Sequence, residues 1–399
     1  VALANGSTAL RRSPEIDLSG DDGHIEDHKR HRSSYFSSDL IYGLFLLPGG
    51  FTVIRSRTAA VSSLAVLALA ACEAPSRLAS PSSSAAFSAS SNSSASADDD
   101  GSPNAPGKRN IFEVRTAAHV SNAAGRGGSG TGIYYHGGRV LQGGASVTAI
   151  YWSPTQPVYL GGPGAGKGDG SADGSLIGTF LRGLGGSPYY GINSSYTDGT
   201  GKPLVNALTY TEYWATTTNA PGDGTPVTDA QMVALLQSGF DSGNISYDAS
   251  RIYAIFTAGT ANLGGGFGTQ YCAYHTNGVI TIGGVSKTVL YAAMPYDYAY
   301  PSACSVFNST TKPANNDPGA DAEVSVLAHE IEETATDALG NAWYDRSGYE
   351  NADKCAWTFG TTSIFASTGG TYNMTIGGKP FLVQRNWVNS GSGGCVLSY

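Results

Sequence analysis

The chain has 399 residues, a net charge of -8, 14% charged residues, 54 glycines and 23 tyrosines. This balance excludes a general nucleic-acid binder, because phosphate recognition needs a basic patch and the sequence offers none. A Gly-rich, Tyr-rich, charge-poor composition fits a β-leaning extracellular protein better than a helical cytosolic one.

Residues 1–52 form a polar, charged preamble ("SGDDGHIEDHKRHRSS") and are expected to be a non-native upstream extension or disordered, with translation starting near Val53. Residues 53–72, "VIRSRTAAVSSLAVLALAAC", have the layout of an export signal: Arg55 and Arg57, an apolar run, then small residues. The run is too short for a comfortable membrane-spanning helix. Its end, Leu69-Ala70-Ala71-Cys72, resembles a lipobox and makes Cys72 the expected lipidation site, with an ordinary signal peptide as the alternative. Membrane attachment is therefore expected only through a lipid anchor. The Ser/Ala-rich residues 73–109 bury too little apolar surface to fold and read as a tether. Residues 110–399 read as a globular domain with enough chain for a substantial core.

Within that domain "SVTAIYW" (146–152), "ALTYTEYWATTT" (207–218), "RIYAIFT" (251–257) and "KTVLYAAM" (287–294) are expected strands, being rich in β-branched and aromatic residues. "DGSLIGTFLRGLG" (173–185) and "TDAQMVALLQSGF" (228–240) are expected helices, each entered through a capping residue. "GGPGAGKGDG" (161–170) matches a phosphate-loop frame at Gly161, Gly166 and Lys167. Gly168 stands where a Ser or Thr hydroxyl should reach magnesium, so a flexible surface loop is expected. No G-x-S-x-G elbow supports a serine hydrolase. The order of elements predicts an α+β (or α/β) fold: a single zincin-like domain with a mixed sheet, one long active-site helix and a loop-rich, disulfide-bonded C-terminal part.

Four cysteines follow Cys72: Cys272, Cys304, Cys355 and Cys395. An even count in an exported domain implies two disulfides, for which three pairings exist. Pairing Cys272 with Cys304 and Cys355 with Cys395 closes two local loops and is favoured.

The segment "DAEVSVLAHEIEETATDALG" (321–340) is the expected long helix. Val324, Leu327, Ala328, Ile331 and Ala335 make a buried stripe, while His329 and Glu333, one turn apart, are expected on the opposite side, lining a cleft. Between Pro313 and Asp345 the sequence carries eight acids and no lysine or arginine. Acids late in a helix oppose the macrodipole and repel one another, and a bound cation relieves both. A metallopeptidase helix reads H-E-x-x-H, and here Glu333 replaces the second histidine; carboxylate oxygen is an acceptable zinc ligand. His329 and Glu333 are thus candidate metal ligands, with Glu330 as the candidate general base on a metal-bound water. A third ligand is sought among Asp345, Glu350 and Asp353, with Glu350 first and Asp353 next; Asp337 shares the face but lies far along the helix. His275, in "TQYCAYHTNG", is placed in a Gly/aromatic loop as a further ligand or a substrate-facing donor. Zinc is the first expectation for the metal and calcium the second.

"GSPYYGINSSYTD" (186–198), "GTQYCAYHT" (268–276), "PSAC" (301–304) and "DAEVSVLAHEIEETATDALGNAWYDRSGYENADKCAW" (321–357) resemble the EXORDIUM-like, phosphate-induced protein family of plants and its bacterial relatives. The similarity runs from about Tyr134 to the C-terminus and is nearest to the bacterial branch. In that branch the helix reads H-E-x-x-E, then T-D-P, W-Y-D and E-x-x-D-x-C. The sequence matches at His329, Glu330, Glu333, Thr336, Asp337, Trp343, Tyr344, Asp345, Glu350, Asp353 and Cys355, with Ala338 in place of the proline. The resemblance implies a secreted or surface protein, associated in plants with the cell wall; with the lipobox-like end at Cys72, a cell-surface or outer-membrane-anchored lipoprotein is expected, otherwise a secreted protein.

Two functions follow as expectations. One is a metal-dependent hydrolase acting on a peptide substrate. The other is a non-catalytic module that holds a structural metal and binds cell-wall polysaccharide or a protein, through Tyr189, Tyr190, Trp214 and Tyr274 as surface aromatics.

Overall fold

A computed structural model describes residues 109–116 and 132–399, apart from 223, 225 and 260. The expected export signal, Cys72 and nearly all of the Ser/Ala-rich segment lie outside the described residues.

In chain order the elements are β1 (Asn110–Glu113), β2 (Tyr134–Tyr135), β3 (Ala145–Trp152), β4 (Gly166–Asp169), α1 (Leu176–Leu184), β5 (Leu208–Thr216), α2 (Asp229–Asp241), β6 (Arg251–Thr257), β7 (Tyr271–Ile282), β8 (Val285–Met294), α3 (Pro318–Thr336) and β9 (Trp343–Tyr344). Three short hairpins follow: β10 (Ser363–Phe365) with β11 (Gly370–Tyr372), β12 (Met374–Ile376) with β13 (Lys379–Phe381), and β14 (Asn386–Val388) with β15 (Gly394–Val396).

Seven strands form one mixed sheet in the order β1-β7-β8-β6-β3-β5-β4. Its centre is parallel, β8-β6-β3-β5, and the flanking pairs are antiparallel. The central strands are buried on both faces, which requires near-continuous apolar runs such as RIYAIFT. Along β3 the side chains alternate: Val147, Ala149 and Tyr151 pack into the core shared with α1 and α3, Ile150 and Trp152 into the one shared with α2. The chain is thus a mixed α and β fold around a large mixed sheet.

The helix starts have local causes. The Ser175 side chain accepts from Gly178 N at 3.0 Å ahead of α1, and Thr228 with Gln231 makes a capping box ahead of α2. Asp173, fully buried, accepts from the hydroxyls of Tyr151 and Tyr210 at 2.5 and 2.7 Å, tying the turn before α1 to β3 and β5.

Two expectations are corrected. The glycine-rich 161–170 segment is not wholly a loop, because Gly166–Asp169 pairs antiparallel with β5 as the exposed edge strand β4. His275 is not in a loop: it sits inside β7, opposite Asn110 of β1 and Ala292 of β8. Cys272 is bonded to Cys304 and Cys355 to Cys395, with Cα separations of 5.3 and 5.6 Å.

Candidate metal centre

Asp317 caps α3, accepting from Ala320 N at 3.2 Å, and Pro318 occupies the first turn, where its missing N–H costs nothing. The helix ends at Asp337, whose N–H donates to Glu333 O and whose carboxylate accepts from Asn341 N and Ala342 N. Asp337 therefore shapes the helix exit.

Every residue from Gly319 through Thr336 is buried. The expected cleft-lining face is thus a correction: α3 has no solvent side. The acidic side is covered jointly by β7 of the sheet, through His275, and by the C-terminal segments. Gln384 N donates to Ser325 Oγ at 3.1 Å, and Asn386 Nδ2 donates to Glu332 Oε2 at 3.0 Å. Glu332 is held in this way through Oε2, apart from the other acids, while its Oε1 has no hydrogen-bond partner among the described residues.

The remaining acids converge with two histidines. His329 Nε2 lies 3.0 Å from Glu333 Oε1 and 3.5 Å from Asp353 Oδ1. His275 Nδ1 lies 3.0 Å from Glu330 Oε2 and 3.7 Å from Glu333 Oε2, while its Nε2 lies 3.7 Å from Glu350 Oε2. In each of two triads, His329-Glu333-Asp353 and His275-Glu330-Glu333, one donor atom per residue falls within 4.8 Å of the others. Glu333 belongs to both. The expected ligand set is thereby reordered: Asp353 completes the His329 group, and Glu350 faces His275. Asp345 is elsewhere, accepting from Ser347 N and Tyr349 N and pairing with Lys354 Nζ at 3.2 Å.

The surroundings orient these groups. His329 Nδ1 is 3.0 Å from Gln384 Nε2, and His275 Nε2 is 3.1 Å from Asn110 Nδ2. Phe112 lies over the His329 ring with centroids 4.1 Å apart and stacks on Trp357. Asp353 N donates to Glu333 Oε1 at 2.9 Å, and Glu350 N donates to Asp353 Oδ2 at 3.2 Å, so the Glu350–Asp353 turn is clamped to α3. The disulfides hold both walls, since Cys355 follows Asp353 by two residues and Cys272 precedes His275 by three. Sequence reasoning did not single out Asn110 or Gln384; neither sits in a spacing that signals metal chemistry.

Burial dominates the electrostatics. It raises Glu330 and Glu350 well above the carboxylate range, with repulsion from Glu333 adding to both, and it lifts Glu333 to about 7, with repulsion from Asp353 adding and His329 opposing. Burial and the nearby His329 charge push His275 down to about 3. Burial opposes charge on His329 too, but Glu333, Asp353 and Glu330 outweigh it and raise its pKa well above the ordinary value. Among the described residues His329 Nε2, Glu330 Oε1, Glu333 Oε2 and Glu350 Oε1 are buried without an aligned hydrogen-bond partner. Buried polar atoms are almost always satisfied, so four orphans in one place fit a cation.

Side-chain exposure is 0–3% for His275, His329, Glu330, Glu333 and Glu350, and 13% for Asp353. His275 therefore faces the interior, beside the other clustered donors. The aromatics expected at the surface are also buried: Tyr189, Tyr190, Trp214 and Tyr274 are each at most 7% exposed.

The His/Glu/Asp cluster is thus buried between β7 of the mixed sheet, α3 and the disulfide-tied C-terminal region. Residues 187–396, just over half the chain, match the family described as phosphate-induced protein 1 conserved region. The chain belongs to that family. All the clustered donors and both disulfides fall within the match. The chain is also similar to Protein EXORDIUM-like 3 of Arabidopsis thaliana, 38% identical over 104 residues, covering 22% of this chain and 31% of that protein. The chain thus matches about a third of the length of that curated relative. No solved structure matches.

Proposed function

We propose that this chain is an exported, non-catalytic binding module of the bacterial branch of its family, whose interior is locked by a divalent cation. The carrying observation is the His329-Glu333-Asp353 triad, whose donor atoms lie within 4.8 Å of one another inside the fold. Nitrogen and carboxylate donors suit zinc first; a carboxylate-rich shell also accommodates calcium. Export is supported by two disulfides, which persist in oxidising compartments. An anchor at Cys72 would then hold the module at the membrane surface.

The ligand surface we assign lies across the sheet from the centre. A groove of about 440 Å³ between α2 and the ends of β3 and β5 is lined by Trp152, Trp214, Asn219, Gln231, Ser242 and Asn244. Trp152 and Trp214 are buried and form the floor of the groove, and the uncharged amides and hydroxyls around it suit a neutral polyol such as wall polysaccharide. Ala234, exposed on α2, also lines the groove, so Ala234→Arg fills it with little risk to the fold. Retention of the protein on insoluble glycans should fall at least tenfold in that variant, and unchanged retention would remove the groove from the proposal.

The second reading is a zincin-like hydrolase with Glu330 as base, favoured by the His329-Glu330 pair at the start of H-E-x-x-E. Catalysis requires an open coordination position and substrate access, and the near-complete burial of the donors favours the non-catalytic reading. Metal-dependent hydrolysis of peptides that disappears in Glu330→Gln, with metal retained, would reverse this preference.

A further inference from the structure

We infer that the centre holds two divalent cations bridged by Glu333, the second one bound by His275 and Glu330. This inference rests on the proposed cation centre and adds an ion to it.

The geometry divides the donors into two groups. Glu333 Oε1 approaches His329 Nε2, and Glu333 Oε2 approaches His275 Nδ1, so the two oxygens of one carboxylate point at two different imidazoles. Asp353 accompanies only the first imidazole, and Glu330 joins Glu333 at Nδ1 of the second; Glu350 lies on the other side of that ring, at Nε2. A single ion placed among His329, Glu333 and Asp353 leaves His275 Nδ1 and Glu330 as buried donors with no cation of their own. Glu330 Oε1 is buried and without a hydrogen-bond partner among the described residues.

Charge is compatible with two ions. Two divalent cations balance the four negative charges of ionised Glu330, Glu333, Glu350 and Asp353, whereas one cation balances Glu333 and Asp353 and requires Glu330 and Glu350 to stay protonated. A bridging carboxylate sets paired ions about 3.5–4 Å apart, and Glu333 is the one acid placed to bridge. In the metal-free arrangement protons take the cations' place, so binding must release them.

The chemistry favours first-row divalent ions that accept both imidazole and carboxylate, zinc, manganese or iron(II) among them. The test uses the disulfide-intact full chain, stripped with chelator and reloaded separately with zinc sulfate and with manganese chloride. Native mass spectrometry should then give two ions per chain, and the manganese form should show the exchange-coupled electron paramagnetic resonance of a bridged pair. His275→Ala should bind one ion and show only uncoupled manganese. One ion in the wild type, or two retained in His275→Ala, overturns the second site while leaving the His329 site standing. No stoichiometric ion in the wild type overturns the cation centre itself. The wild-type stoichiometry and spectrum decide the matter even where His275→Ala does not fold.

Discussion

Glu333 and His329 stand one helical turn apart on α3, 3.0 Å from each other, both fully enclosed. A buried pair of this kind costs more to desolvate than its attraction returns unless further partners complete it. Glu333→Gln keeps the side-chain shape while removing the charge that a cation needs. Its expected outcome is a folded protein with metal content reduced at least tenfold, and a melting temperature that no longer responds to chelator. A Glu333→Gln protein that binds metal like the wild type would contradict the assignment.

Glu323 sits two turns before Glu330 on α3, fully buried, and burial pushes it up to about 8; its carboxylate accepts from Asp297 N at 3.2 Å. An acid whose folded pKa exceeds its ordinary value contributes most below about 4.5. That contribution is lost as pH rises, until the folded group also ionises at about 8. Glu323→Gln mimics the protonated form and keeps an oxygen to accept from Asp297 N. The variant's melting temperature minus that of the wild type should therefore grow between pH 5 and pH 8. A difference independent of pH would show that Glu323 does not ionise in this window.

Replacing Cys355 and Cys395 together by alanine removes a cross-link between residues 40 apart, worth about 4 kcal/mol on the loop-entropy relation. The same bond secures the turn carrying Asp353, so metal affinity should fall together with stability. Isothermal titration with zinc checks the coupling: equal affinity in the two proteins would mean that α3 alone positions Asp353.

Phe112 is fully buried between His329 and Trp357. Phe112→Ala should destabilise by about 3–5 kcal/mol through lost burial and the cavity left behind. It should also admit water to the His329 ring. Denaturant unfolding measures the first effect and hydrogen exchange of β1 amides the second; a loss under about 1 kcal/mol would mean β1 does not close the centre.

Much of the sheet was legible because buried parallel strands need apolar, β-branched runs. RIYAIFT coincides with β6 from end to end, and the starts of α1 and α2 fall within three residues of expectation, where Ser175 and Thr228 cap them. β7 escaped because YCAYHTNG mixes polar residues with aromatics and lacks alternation. Its polar residues are tolerated since β1 and β8 pair with both edges and His275 is met by Glu330. The burial of α3's acidic side escaped for a related reason: amphipathic reasoning assumes that charges face water, and here they face one another. His329, Glu330 and Glu333 were legible from helical spacing. The division of Glu350 and Asp353 between two histidines depends on contacts between segments far apart in the chain and has no local signal.

The central claim is that the interior holds a divalent cation, and metal analysis of the full chain purified without chelator tests it most directly. The account predicts stoichiometric divalent metal that falls with Glu333→Gln and His329→Ala. A well-folded, disulfide-intact protein with no bound divalent metal, unmoved in melting temperature by added zinc or by chelator, would contradict it.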